Sequence, residues 1–192
     1  LQEIFDIHAI NKAAATFNTE KLLWLNQHYL KTLDVKYIAE HLAWHFAELG
    51  IAISQGPELP QVILAQRERA KTLREMAEKS RYFYEDFHEF ESKAATKNLT
   101  VAIIPALIAI LEKFQAVQIW QAEDLHQAIA IVANDFSLSI GKLAQPIRVA
   151  ITGGAISPPI DVTLELIGKS RVLTRLNKAI IWITEQQNSN DG

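Results

Sequence analysis

Cysteine is absent from the 192 residues, so the chain can build no disulfide framework, no thiolate metal site and no Cys/His nucleophile. Phosphate-cradling glycine loops are missing too. Gly153-Gly154 lacks the further glycine and the lysine of a P-loop, and no Gly-x-Ser-x-Gly occurs. No period-2 alternation lasts long enough to suggest a sheet, and no internal repeat is evident. The longest apolar run, Leu99 to Leu111, has 13 residues and includes Thr100 and Pro105. A membrane-spanning helix needs roughly 20 apolar residues, so this run reads as a buried helix and no membrane partner is expected. Nothing near Leu1 resembles a basic, then apolar, then small-residue leader. A chain opening on leucine reads as a piece of a longer protein, and the missing cysteine fits a reducing, cytoplasmic setting.

What is present is ordinary in bulk: 49% apolar, 21% charged, and long enough to bury a real core. The net charge of −3 argues mildly against nucleic acid, but it averages over segregated stretches. Arg67, Arg69, Lys71, Arg74, Lys79 and Arg81 crowd one segment against Glu68, Glu75 and Glu78. Lys142, Arg148, Lys169, Arg171, Arg175 and Lys178 occupy another against only Asp161 and Glu165. Glu85, Asp86, Glu89 and Glu91 concentrate the acid elsewhere, which leaves room for a phosphate-facing surface.

Almost every segment follows helical spacing. Asn18 or Thr19 can cap a helix carrying Leu22, Leu23, Leu25, Tyr29 and Leu30, and Asp34 caps the next, which Gly50 ends. Ser54 to Pro60 forms a loop. Val62 to Ala70 and Thr72 to Tyr84 make a helix pair, the second opening with Thr72 and Glu75 as a capping box. Further helices are expected at Leu99–Phe114, Ala122–Phe136, Gly141–Ile151 and Val162–Glu185, with the Gly153-Gly154 and Pro158-Pro159 segment as a defined loop. The fold class is all-α, with two consecutive helical bundles linked through the acidic, aromatic stretch Glu85 to Glu91.

Three constellations merit weighing for chemistry. His41 and His45 share a helix face at i and i+4, but Leu42 stands where a zinc protease needs glutamate, so packing with Trp44 and Trp24 is the better account. Glu85 and Asp86 are adjacent and diverge, which suits a solvated connector better than an acid/base pair. Arg69 lies where one helix ends beside a turn, a corner from which arginine can reach into a groove or toward a splayed base.

Phe17-Asn18-Thr19-Glu20-Lys21-Leu22-Leu23-Trp24-Leu25-Asn26 with Tyr29 resembles a segment of bacterial glutamyl-tRNA synthetases just after their catalytic part. Lys71-Thr72-Leu73-Arg74-Glu75-Met76-Ala77 followed by Tyr82-Phe83-Tyr84-Glu85-Asp86-Phe87 is similar to their first anticodon-binding helical domain. Gly141-Lys142, Pro146-Ile147-Arg148-Val149-Ala150, Thr152-Gly153, Ser157-Pro158 and Gly168-Lys169 with Arg171 resemble their last one. The matches come in the family's order and span nearly the whole chain.

The resemblance implies an α-helical cage that binds the anticodon loop of tRNA-Glu. Leu1 to about Leu33 would be the tail of a stem-contact region, with Asp34–His88 and Glu89–Gly192 as first and second anticodon-binding domains. It implies ATP and Mg²⁺ for the full-length enzyme and no cofactor in this piece. The family's His-x-Gly-His type motif and Lys-x-Ser-lysine loop are missing, so no glutamyl-adenylate is expected from it. The chain is expected to act as a monomer.

By the same resemblance, Arg69 falls where the family carries the arginine that reads the third anticodon base. Glutamate anticodons end in C and glutamine anticodons in G. Arginine only donates, so it fits the N3 and O2 acceptors of cytosine and leaves guanine's donors unpaired. A good bidentate contact discriminates by roughly 1–3 kcal/mol. Arg148, Ser157, Pro158 and Ile160 match other anticodon-contacting positions, although the family usually has a small or variable residue at Pro159 and often leucine at Ile160. Lys142, Lys169 and Arg171 could supply phosphate contacts. Two other readings compete: a helical adaptor for protein partners, and a His41/His45 metal enzyme.

Overall fold

The computed structural model describes residues 18–190, and among these the chain forms ten α-helices and no strand. Residues 1–17 of the expected stem-contact tail lie outside the described residues. Local signals set most helix starts. Asn18 caps α1 (Thr19–Thr32), its Oδ1 accepting from the Lys21 N–H at 3.0 Å. Asp34 caps α2 (Val35–Glu48) by accepting from the Lys36 and Tyr37 N–H groups. α3 (Leu59–Gln66) carries Pro60 in its first turn, where a missing N–H leaves no helical bond unmade. Thr72 opens α4 (Leu73–Lys79): its Oγ1 accepts from Glu75 N–H at 3.1 Å, and the Glu75 carboxylate accepts from Lys71 N–H at 2.7 Å. A cap of this kind is worth about 1 kcal/mol.

The helix pair is shorter than the periodicity suggests. α3 stops at Gln66, so Arg67 to Arg69 form a turn, and α4 yields after Ser80 to a single 3₁₀ turn, Arg81–Phe83. The rest of the chain folds into α5 (Ser92–Asn98), α6 (Ile104–Ala116), α7 (Ala122–Asp135), α8 (Ile140–Thr152), α9 (Ile160–Ile167) and α10 (Lys169–Asn190). Two sequence expectations change here. α5 has too short an apolar period to announce itself. The single helix expected over Val162–Glu185 is two helices, broken at Gly168, where φ is +86°. That conformation is open to glycine and strained for other residues. Gly153 ends α8 at φ +80°, and a Cβ there would stand 3.0 Å from the Phe87 ring, so both backbone and packing call for glycine.

α2 packs against α3 and α4 around Leu42, Phe46, Val62, Ile63 and Met76. α10 lies against α6, α8 and α9, with α7 completing the second group, and Leu107, Ile110, Phe114, Leu125, Ile147 and Leu176 fill its interior. Burying each such side chain contributes about 1.5–3 kcal/mol. The two groups meet where α3 touches α9. No single described helix is long and apolar enough to cross a membrane. The pair 92–98 and 101–116 reaches that length and composition only together, bent by 59°. Ala94, Ala95, Leu107, Ile110 and Phe114 of that pair, and Leu99 between them, are buried inside the protein.

The acidic connector is more than a solvated link. Arg175 of α10, only 3% exposed, donates through Nε and Nη2 to Asp86 Oδ1 at 2.9 and 2.8 Å. It also donates to the carbonyls of Tyr82, Ile151 and Glu85 at 2.9, 2.6 and 2.7 Å, with its guanidinium over the Phe87 ring at 5.3 Å. Burial pulls this guanidinium below the usual arginine value, and Asp86 pulls it back up. Glu85 itself pairs with Arg81 at 2.7 Å. The expected histidine packing is half met: Trp44 contacts His45, but Trp24 stacks on His28 and His41 takes Tyr37. Among the described residues no three metal-ligating side chains come together.

Replacing Arg175 with Met keeps the length of the side chain and strands three carbonyls. Arg175→Met is expected to lower the unfolding free energy by about 3 kcal/mol in urea titrations, and a loss below about 1 kcal/mol would show that this junction does not hold the fold. Burial raises the Glu75 carboxyl, but hydrogen bonds from Lys79, Lys71 and Thr72 and the Lys79 charge leave it below the usual carboxylate range. Its stabilising contribution is therefore complete at neutral pH and disappears as pH falls through that lowered value. Thermal melts of the parent and Glu75→Gln should differ at pH 7 and converge as pH falls through that lowered value, and identical melts at pH 7 would contradict this.

Candidate nucleic-acid interface

A cleft of about 480 Å³ opens between the two helical groups. Gln66, Arg69, Glu78, Lys79 and Tyr82 line it from one side, and Thr152, Gly154, Ile156 and Ser157 from the other. Arg69 reaches it from the turn after α3, where its N–H donates to Gln66 O at 2.8 Å and its carbonyl accepts from Lys79 Nζ at 2.9 Å. These bonds fix the backbone and leave the side chain exposed. Among the described residues the Arg69 guanidinium makes no hydrogen bond and no ion pair. It is a complete set of donors on a fixed corner.

Arg148 of α8 is held. Its Nε donates to Ser157 Oγ at 2.9 Å and its Nη1 to the Gln145 side-chain oxygen. Burial first, and then the Arg69 charge, hold it below the usual arginine value, while Tyr82 pulls the other way. Arg69 on the lining of the cleft and Arg148 bonded to Ser157 are thus two like charges kept close, and Glu78 adds a carboxylate to the same lining, so the cleft favours an acceptor-rich occupant. Burial pushes the Tyr82 phenol well above its ordinary value against the pull of Arg148, Arg69 and Arg175, so it stays neutral at physiological pH. Gln66 lies beside that hydroxyl, yet no pair there meets hydrogen-bond geometry, and the Gln66 amide donates instead to Lys79 O at 3.3 Å.

The loop from Gly153 to Pro159 is braced from within. Ser157 Oγ donates to Pro158 O at 2.8 Å, and Thr163 Oγ1 bridges Ser157 Oγ, Pro158 O and Pro159 O. Gln145 Nε2 donates to Ala155 O at 2.9 Å, and Thr152 Oγ1 to Gly154 O at 3.1 Å. Ser157 and Ile160 are each 7% exposed, and Pro158 is buried as well. Their side chains therefore shape the loop and hold Arg148, and what the loop presents outward is backbone, Pro159 and Ile156. Ile156 carries no polar or charged atom, so no motif or charge pattern marks it. An apolar residue flanked by Gly154 and Pro158 was its only signal.

The three basic residues singled out for phosphate are differently placed. Lys169 Nζ donates to Gln115 O and Val117 O at 2.8 and 2.6 Å. Arg171 donates to Phe83 O and Gln55 O at 2.6 and 3.3 Å. Both tie backbone segments together. Lys142 is exposed, beside Lys97 on a separate groove of about 510 Å³. Ser157→Ala removes the Arg148 acceptor from a half-buried site. It is expected to cost about 1 kcal/mol of stability in urea unfolding, and an unchanged midpoint would mean that the Arg148–Ser157 bond contributes nothing.

With this geometry in place, the kinship of the chain is direct. Residues 11–180 match the family described as the anticodon binding domain. Over 187 residues the sequence is 48% identical to glutamate–tRNA ligase 1 of Nitrosococcus oceani, covering 97% of this chain and 40% of that protein. The chain thus spans two-fifths of the length of this curated relative. The fold superposes on a glutamate tRNA ligase from Elizabethkingia meningosepticum in complex with its amino acid with a TM-score of 0.81, at 27% identity, covering 92% of this chain and 35% of that one. For the glutamate-tRNA synthetase of Elizabethkingia anophelis the TM-score is 0.76 at 28% identity, covering 92% and 34%. The chain belongs to the anticodon binding domain family, and its all-α fold is the one these glutamate–tRNA ligases carry.

Proposed function

We propose that the chain is the part of a glutamate–tRNA ligase that docks the anticodon loop of tRNA-Glu. The observation that carries this reading is the unbonded Arg69 guanidinium, fixed on a corner and facing across a cleft a braced loop whose Ser157 holds Arg148. Single-stranded RNA is recognised by splaying its bases out and meeting their pairing edges with hydrogen bonds. In this reading Arg69 donates to the third anticodon base and prefers C over G, because arginine has nothing to offer guanine's donors. On the opposite side Ser157 positions Arg148, and the buried Pro158 and Ile160 shape the loop that forms the wall. Lys142 contributes charge toward phosphates, whereas Lys169 and Arg171 act through the fold.

The two halves of the cage would be residues 34–88 and 89–192, after the tail of a stem-contact region over 1–33. ATP and Mg²⁺ serve the longer enzyme in aminoacylation, and the residues of this chain contribute binding and register. The reading places the protein in the cytoplasm and treats the chain as a monomer.

The adaptor reading keeps one observation in its favour. Tyr29, Leu33 and Tyr37 line an apolar groove of about 350 Å³ between α1 and α2, and Trp24 and Trp44 are exposed on the same helices. That groove shares no lining residue with the Arg69 cleft, so a protein contact there is compatible with RNA binding.

Titration with tRNA-Glu and tRNA-Gln transcripts at two salt concentrations tests the proposal. Binding is expected to weaken steeply with salt. Arg69→Gln should erase a preference for C over G worth roughly tenfold or more at the third anticodon position. An unchanged preference would remove Arg69 from that role, and no tRNA shift even at low salt would favour the adaptor reading.

A further inference from the structure

Ile156 is 77% exposed, the most exposed large apolar side chain among the described residues, and it stands on the rim of the Arg69 cleft. An exposed isoleucine on a mobile loop would mean little, because such a chain can turn inward and cover its methyl groups. Here that route is closed. Ala155, just before it, is held through its carbonyl by Gln145, and Ser157, just after it, is held through its hydroxyl by Arg148 and Thr163. Gly154 is closed onto Thr152 in both directions, its carbonyl accepting at 3.1 Å and its N–H donating at 3.3 Å. The loop thus keeps an apolar group in solvent at a fixed place.

The opposite wall explains what such a group could meet. Arg69 offers unbonded donors there, with Glu78 and Lys79 beside it. An unstacked nucleobase has an apolar face and a polar, acceptor-bearing edge. The cleft provides a surface for each: methyl groups from one helical group and guanidinium donors from the other. Neighbouring Ser157, Pro158 and Ile160 cannot supply the apolar face, since their side chains are buried in the loop's own packing.

We propose that Ile156 is the apolar platform against which a splayed anticodon base lies while Arg69 meets that base's edge. The inference rests on the RNA-binding reading above and assigns its affinity contact to a residue with no polar chemistry. Preorganisation is the reason it should matter, because a platform that is already ordered loses little entropy when a base settles on it.

The test compares the parent chain, Ile156→Ser, Ile156→Phe and Arg69→Gln for binding to a tRNA-Glu transcript and to the same transcript with G as third anticodon base. Ile156→Ser should weaken binding to both transcripts about tenfold, with the C-over-G ratio, the salt slope and the melting temperature unchanged. Ile156→Phe should retain parental affinity or exceed it, because an aromatic face is a better stacking surface. If Ile156→Ser binds like the parent while Arg69→Gln loses selectivity, the platform is wrong and the anticodon reading stands. Equal losses in Ile156→Ser and Ile156→Phe would also overturn it, since they would point to shape disruption. If the parent chain binds neither transcript, the anticodon reading itself falls.

Discussion

A single buried cation holds the two helical groups in register. Arg175 projects from the second turn of α10 and directs its donors to Asp86 and to three backbone carbonyls belonging to two segments far apart in sequence. A buried guanidinium is unfavourable unless its donors are all met, so the same group that would destabilise a loose interface enforces a closed one. The 82–86 segment and the end of α8 are brought to one point. Arg69 and the Ser157 loop extend from elements neighbouring that point, which is why they can face each other across a cleft of defined width.

The hydrogen bonds around Arg148 repeat the logic on a smaller scale. Ser157 and Gln145 hold one arginine still, and the cleft leaves Arg69 unpaired. Recognition by a free donor is selective only if the donor cannot drift. The Gln66 and Lys79 bonds to the Arg69 backbone supply that restraint without occupying its side chain. Scaffold bonds go to main-chain atoms and the guanidinium remains available.

Local features were legible in the sequence because they are decided within a few residues. Asn18, Asp34 and the Thr72–Glu75 box mark helix starts through side chains that reach only three or four residues ahead. α5 escaped because seven residues rich in small and polar groups carry no apolar period, and Gly168 escaped because a helix on both sides masks a single backbone reversal. Charge was the least legible quantity. Lys169, Arg171, Arg175 and Lys178 look like a solvent-facing basic run, yet all four donate to carbonyls between 24 and 116 residues away. Such pairings depend on tertiary approach, which a one-dimensional charge count cannot register. The same holds for the loop: Ser157, Pro158 and Ile160 follow the family's pattern, but which neighbour faces outward was settled by packing.

The row Arg171, Arg175 and Lys178 has a consequence for how this junction can change. Its three side chains grasp the 82–88 strip almost entirely by peptide oxygens, and within that strip Asp86 is the one side chain they bond. A carbonyl is the same atom whatever residue carries it. The grip is therefore indifferent to most of the letters in the strip it holds and demanding of the few letters on α10 that do the holding. Tolerance to substitution should follow that division: on the strip it is set by Asp86, the Phe87 ring and the buried Phe83 and Tyr84 side chains rather than by the grip, and on the helix that reaches over to it by the three cations themselves.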